Sequence, residues 1–312
     1  MYEIKQPSNI IMGKNSCAEF EFDENCLIIT SPGAKARGWL EYLGIKKFLI
    51  YDKVESNPCI EICSDIMDEF SKSKISNVVG LGGGSSMDVA KYIGFKMKKN
   101  KILIPTTFGS GSEVTRISVL TVDGRKTSFH DDGMFADVAI VDPYFIKDTP
   151  KEILKNSAVD ACAQCSEGYD SKNGNVYTKF LCKKAFEILE DAILNEKYEN
   201  LPNGALITGL GFGNCSTTLG HALSYVYSNE GYSHGNALAF TTRVAHEFNS
   251  SIFSDRFYDI VNKLKFEKIT LKQNLEDAAD IILKDSKHLM NNPQPVEKND
   301  IINLLTKINN FD

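Results

Sequence analysis

Asp160 and Gln164 stand four residues apart, so a helix carries both on one face. His221 lies in a stretch rich in glycine and alanine, and His234 is followed by Gly235, where a second backbone can come close. A carboxylate, an amide oxygen and two imidazoles brought together make a site for a divalent metal. For any single histidine, a plain hydrogen-bonded helix residue is the competing reading, and His246 and His288 are read that way.

A second kind of chemistry sits earlier in the chain. The run Gly82-Gly83-Gly84-Ser85-Ser86-Met87-Asp88 follows an apolar segment and opens a helical pattern. Successive glycines let a backbone approach a phosphate, and free amides at a helix start complement its charge. Ser85 stands where the usual dinucleotide fingerprint has its third glycine, and a tight turn without a ligand is the alternative. The segment from Pro105 to Thr115 follows another apolar run and is rich in Thr, Ser and Gly. Two such loops, each after a strand, would line one crevice at the carboxyl ends of a parallel sheet. Cys162-Ala-Gln-Cys165 lies inside a helical pattern with no second pair at zinc spacing, so both cysteines are read as core packing.

These groups need elements to hold them. Short apolar runs at 27–30, 48–51, 77–80 and 102–104 alternate with amphipathic stretches, which predicts parallel strands buried on both faces. Ile117 to Val122 and Val138 to Val141 read as two more strands around a turn at Asp123-Gly124. From Lys151 onward only helical periodicity is visible, as in Val176, Phe180, Lys184 and Ile188. The expectation is an α/β domain with a parallel sheet over 1–150, then an all-α domain over 151–312. The length of 312 residues suits about two domains. A net charge of −6 with no basic block argues against nucleic acid as a partner. No apolar run reaches the ~18 residues of a membrane span, and the start of the chain lacks signal-peptide features. Eight scattered cysteines suit a reducing compartment, so a cytoplasmic protein is expected.

The glycine run, Pro105 to Thr115, Val54-Glu-Ser-Asn57-Pro58, Asp160 to Tyr169, His221-Ala-Leu, His234-Gly-Asn-Ala, His246-Glu-Phe-Asn249 and Asn292-Pro293 together resemble the iron-containing (group III) alcohol dehydrogenases. The resemblance covers nearly the whole chain. It implies an NAD(P)-binding α/β domain and a helical metal and substrate domain. By position, Asn57, Gly83, Gly84, Ser85, Asp88, Thr106, Thr107 and Lys126 would hold the dinucleotide. Asp160, Gln164, His221 and His234 would hold the metal, Fe2+ first and Zn2+ as the alternative. Asp160, His221 and His234 would then be catalytic, together with Tyr225 as a hydrogen-bond donor. Gln164 replaces a family histidine, Tyr225 replaces another, and the stretch between Asn249 and Asn292 is short for the family.

The implied reaction interconverts a small aldehyde and its primary alcohol, and a homodimer is compatible with it. Glu113-Val-Thr-Arg116 and Gly124-Arg125-Lys126 look most like the phosphonoacetaldehyde reductase branch, with Arg116 available to an anionic substrate. Ser31, Lys35 and Arg37 after the first strand accommodate a 2′-phosphate, which favours NADPH over NADH. The alternative function is a non-catalytic or metal-impaired dinucleotide-binding relative.

Overall fold

The computed structural model describes residues 2–147 and 149–311. The chain divides into two compact units, Ile4–Thr149 and Met1–Glu3 with Pro150–Asp312. The first is built on strands β1 (Asn9–Met12), β2 (Cys26–Thr30), β3 (Phe48–Tyr51), β4 (Asn77–Gly82) and β5 (Asn100–Pro105). β6 (Ile117–Val122), β7 (Arg125–His130) and β8 (Val138–Val141) follow, and the helices are α1 (Trp39–Tyr42), α2 (Glu61–Glu69) and α3 (Gly84–Lys96).

Six strands form one sheet in the order β1-β8-β5-β4-β2-β3, all pairs parallel. β2 and β4 are buried along their whole length, which is why they read as unbroken apolar runs. β2 leads outward to β3 on one side, whereas β4 leads to β5 on the other. The chain therefore reverses direction between β2 and β4, the place where open α/β sheets bind ligands. The Thr30 hydroxyl donates to the Leu81 carbonyl across that point at 2.7 Å.

One pairing differs from the sequence expectation. Ile117–Val122 turns at Asp123-Gly124 into Arg125–His130 as a separate antiparallel ribbon, whereas Val138–Val141 joins the main sheet. Asp123 and Gly124 both have positive φ, the conformation of a two-residue hairpin. Arg125–His130 is almost wholly polar and half exposed, so it shows no apolar signal of its own.

The second unit is helical: α4 (Lys151–Asp170), α5 (Val176–Leu194), α6 (Leu201–Phe212), α7 (Leu219–Asn229), α8 (His234–Asn249), α9 (Ser254–Leu264), α10 (Leu275–Ile282), α11 (Ser286–Asn291) and α12 (Lys298–Asn309). No strand occurs in it among the described residues. α4 is buried on nearly every side from Ala158 to Gly168, as suits a helix packed on several neighbours. Cys162 and Cys165 are core residues there, and burial pushes the Cys165 thiol up to about 12. In α5 the stripe Val176, Phe180, Lys184 faces outward. The buried face is Cys182, Ala185, Phe186, Leu189 and Ile193. Burying each of its large side chains contributes about 1.5–3 kcal/mol, which outweighs the outward stripe in orienting the helix. No helix among the described residues is long and apolar enough to cross a membrane.

Candidate functional site

α4 carries Asn156, Asp160, Gln164 and Glu167 at steps of four, four and three, so one face of the helix presents all four polar side chains. Its two ends organise the helices that bear the histidines. The Glu167 Oε1 accepts from the Thr218 hydroxyl at 3.0 Å, from the Gly220 amide at 2.6 Å and from the His221 amide at 3.3 Å, capping α7. Its Oε2 accepts a hydrogen bond from His221 Nδ1–H, leaving Nε2 for other work. The Asn156 Oδ1 accepts from the Ser233 hydroxyl at 2.6 Å and the Asn236 amide at 2.9 Å, capping α8.

The glycines beside the histidines permit this approach. A Cβ on Gly220 would lie 2.8 Å from Glu167 and 2.9 Å from the Thr242 Cα, and one on Gly235 would lie 2.3 Å from the Asn156 carbonyl oxygen.

The result is a cluster of Asp160, His221 and His234 whose ligand atoms lie within 4.8 Å of one another. Asp160 Oδ1 is 3.7 Å from His221 Nε2 and 3.8 Å from His234 Nε2. Donors about 2.1 Å from one ion stand roughly 3–4 Å apart, so the three fit a divalent cation. Burial alone would lower the His221 imidazole. The Glu167 and Asp160 carboxylates outweigh it and hold the ring at about 9, and what favours a proton there also favours a cation.

Gln164 is buried, with Nε2 donating to Asp160 Oδ1 at 3.0 Å and Oε1 bonded to nothing. A half-turn of this amide would present oxygen to the cluster in place of nitrogen. Burial, then the Asp285, Glu167 and Asp160 charges, raise the Tyr225 phenol well above its usual range, so it stays protonated and can donate. His246 is a core histidine on Ser166 at 2.8 Å, lowered to about 4 by burial.

Reading the sequence missed Glu167 as the group that orients His221. Its signal was its place on the same α4 stripe as Asp160. The sequence marks His288 only as an ordinary helix residue, yet its ring lies 6.4 Å from the His221 ring and 5.9 Å from that of Tyr225.

In the α/β unit, Gly83 caps α3 without any side-chain bond to the first amides. A Cβ on Gly83 would come 3.0 Å from the Thr107 hydroxyl, and one on Gly84 would come 3.1 Å from that of Ser110, so the two loops form one glycine-lined cradle. Ser85 follows in the first turn, and Thr106 is buried with its amide on the Gly82 carbonyl at 2.9 Å. Asn57 and Lys126 both meet Thr121, whose hydroxyl donates to the Asn57 carbonyl and which pairs with Lys126 across the hairpin.

Asp88 turns inward. Its carboxylate accepts from the Ser112 hydroxyl at 2.6 Å and the Val119 amide at 3.1 Å, and it pairs with fully buried Lys91 at 3.0 Å. Its place is behind the Pro105 to Thr115 loop, as a brace. Arg116 is likewise engaged, at 2.8 Å from Asp132.

The model for iron-containing alcohol dehydrogenase matches residues 7–143, and that for the C-terminal part of the Fe-containing alcohol dehydrogenase family matches residues 155–284. The 4-hydroxybutyrate dehydrogenase of Clostridium kluyveri is 28% identical over 309 residues, across 80% of this chain and 83% of that protein. The sulfoacetaldehyde reductase of Bilophila wadsworthia is 26% identical across 81% of this chain and 75% of its own. A crystal structure of an iron containing alcohol dehydrogenase has the same fold, with a TM-score of 0.90 at 24% identity over all of both chains. So does the sulfoacetaldehyde reductase from Bifidobacterium kashiwanohense in complex with NAD+, with a TM-score of 0.89 at 23% identity over all of both chains. With both halves matched by one family, this chain belongs to the iron-containing alcohol dehydrogenases and is an oxidoreductase of that family.

Proposed function

We propose that this enzyme interconverts a small aldehyde and its primary alcohol with a divalent ion, Fe2+ ahead of Zn2+, and with NADPH ahead of NADH. The observation that carries the reading is the Asp160, His221 and His234 cluster with Glu167 fixed behind His221. When bound, the ion supplies Lewis acidity to a carbonyl oxygen and the nicotinamide supplies hydride to its carbon. Asp160, His221 and His234 would hold the ion, with the Gln164 amide oxygen as a fourth donor. Glu167 keeps the His221 ring in the tautomer that leaves Nε2 free to bind. Tyr225 can donate a hydrogen bond to a substrate oxygen.

Asn57, Gly83, Gly84, Ser85, Thr106, Thr107 and Lys126 would hold the dinucleotide, and Asp88 would act through the loop it braces. Ser31, Lys35 and Arg37 follow β2 with no carboxylate among them to repel a 2′-phosphate. The Arg37 guanidinium packs against Gly33 and lies 5.0 Å from the centre of the Trp39 ring, which pre-organises it. With Arg116 committed to Asp132, the cation that favoured phosphonoacetaldehyde is already paired. The substrate proposed is therefore a small aldehyde with no phosphonate requirement.

Metal content by elemental mass spectrometry, on protein purified anaerobically with NADPH present, tests the reading. About one ion per chain with aldehyde-dependent NADPH oxidation is expected, and NADH should be the slower reductant. A chain that stays without metal after reloading would sink it.

The Gln164 donor gives a separate prediction. An amide oxygen is a weaker donor to iron or zinc than imidazole. Gln164→His should therefore tighten metal binding by at least about tenfold, or about 1.4 kcal/mol. Competition against a chelator measures this, and unchanged retention would remove Gln164 from the ligand set.

A further inference from the structure

The helical unit holds Cys162, Cys165, Cys182 and Cys215. The Cys165 thiol stays within its own helix, donating to the Cys162 carbonyl at 3.3 Å. Cys182 and Cys215 differ, because they come from separate elements and meet. Cys182 is on the buried face of α5, and Cys215 lies in the segment 213–218 that joins α6 to α7. A Cβ on Gly168 of α4 would lie 3.1 Å from the Cys182 sulfur and 3.2 Å from the Cys215 sulfur. The Cys215 thiol donates to the Gly168 carbonyl at 3.3 Å and the Gly211 carbonyl at 3.5 Å, and a Cβ on Gly211 would come 2.7 Å from the Cys182 sulfur. Both sulfurs thus share one space that two glycines leave open, and the two thiols interact across it. Packing needs only volume there, which an alanine or a valine supplies; two facing thiols also bring redox chemistry.

The two partners are held differently. α5 runs for 19 residues from a capping box at Asn175. The segment 213–218 lies outside the helices, with Ser216 at a left-handed φ of 66° and Gly213, Asn214 and Ser216 half-buried. Local opening of such a segment costs far less than unfolding a packed helix, and it gives a small solute access to Cys215. The same segment leads into the metal cluster. Asn291 Nδ2 donates to the Cys215 carbonyl at 2.9 Å and the Thr217 carbonyl at 3.0 Å, and the Thr218 hydroxyl donates to Glu167 at 3.0 Å, just ahead of His221. A disulfide holds its sulfurs about 2.05 Å apart, roughly 1.5 Å closer than two thiols in contact. With α5 fixed, the segment must give, which draws its carbonyls from Asn291 and Thr218 from Glu167.

We propose that Cys182 and Cys215 are a reversible oxidation site, joined by hydrogen peroxide into a disulfide that loosens the hold of the helical unit on its metal ion. In the first step the Cys215 sulfur, as thiolate, forms a bond to one peroxide oxygen. The O–O bond breaks, and hydroxide leaves and takes up the thiol's proton as water. In the second step the Cys182 sulfur bonds to the Cys215 sulfur, the S–O bond breaks, and the oxygen leaves as a second water with the Cys182 proton. The two thiols together lose two electrons and one peroxide gains them. A small thiol reverses the reaction by exchange, as suits a transient disulfide in a reducing compartment. The effect on metal rests on the reading of the Asp160, His221 and His234 cluster above, whereas the cross-link itself does not.

The test uses the full chain loaded with zinc, which has no redox chemistry of its own to damage its ligands. After hydrogen peroxide, the remaining thiols are alkylated and the disulfides mapped by peptide mass spectrometry. A Cys182–Cys215 link is expected, removed by dithiothreitol; a link through exposed Cys59 is told apart by its peptides. Zinc retention against a chelator should fall at least about tenfold on oxidation and return on reduction. Cys182→Ala and Cys215→Ala should each hold zinc as the reduced wild type does and should not respond to peroxide. Absence of the Cys182–Cys215 link overturns the proposal, and so does a link that leaves zinc retention unchanged. Equal loss of zinc from peroxide-treated Cys182→Ala or Cys215→Ala overturns it too. A reduced wild type that holds neither zinc nor iron overturns the reading of the metal cluster and the switch with it, while the peptide map still decides the oxidation site.

Discussion

Asp160→Ala is expected to leave the protein with little bound metal and to lower turnover by about a thousandfold or more. The binding of NADPH should stay within about twofold of wild type. Asp160 Oδ1 is the point on which the cluster converges, at 3.7 Å and 3.8 Å from the two histidine Nε2 atoms, and it accepts the Gln164 amide as well. Without it two neutral donors and an amide remain, and the anionic ligand that offsets an ion's charge is lost. Removing an electrostatic contact made chiefly in the transition state costs about 10²–10³ in rate, and loss of the ion itself adds to that. Elemental analysis, steady-state kinetics and fluorescence titration with NADPH read the three quantities separately. Loss of NADPH binding together with turnover would mark Asp160 as structural.

Gly84→Val should act in the opposite pattern. The ideal Cβ at Gly84 already lies 3.1–3.2 Å from Ser110, so the branched side chain would occupy the space between the two glycine loops. The backbone at Gly84 is helical and Gly83 before it is extended, so valine meets no backbone strain there and the unit should still fold. NADPH affinity should fall about a hundredfold, or about 2.7 kcal/mol, while metal content holds near one per chain. The same fluorescence titration measures it. An unchanged affinity would show that the α3 amino terminus is not where the phosphates sit.

Much of this was legible before any coordinates. The parallel sheet announces itself because β2 and β4 are buried along their whole length, while Asp160 is marked by its spacing from Gln164 and His221 and His234 by their glycine neighbours. What escaped follows from what local pattern cannot encode. Arg125–His130 is a strand because its ladder partner makes it one, and the Asp123-Gly124 turn was the clue to their pairing. The periodicity of Val176, Phe180 and Lys184 marks α5 as a helix but not its inward face, because Val176 and Phe180 are large and apolar yet exposed. Asp88 lies in the glycine motif, but the side it faces is decided by Ser112 and Val119, more than twenty residues on. His288 stands beside His221 and Tyr225 because Asn291 and Asn292 tie α11 to segments more than forty residues earlier, which local pattern does not encode.

The pairing of β1 with β8 has a consequence for how the molecule is made. β1 comes near the start of the α/β unit and β8 near its end, yet they lie side by side in the sheet, with β8 also paired to β5. A contact so distant in sequence is entropically costly to close and slows folding relative to local structure. During synthesis β1 leaves the ribosome well ahead of β8, and it must wait for β8 before it has a neighbour. For that interval its apolar residues Ile10, Ile11 and Met12 are an open strand edge, the kind of surface on which chaperones and misassembly compete.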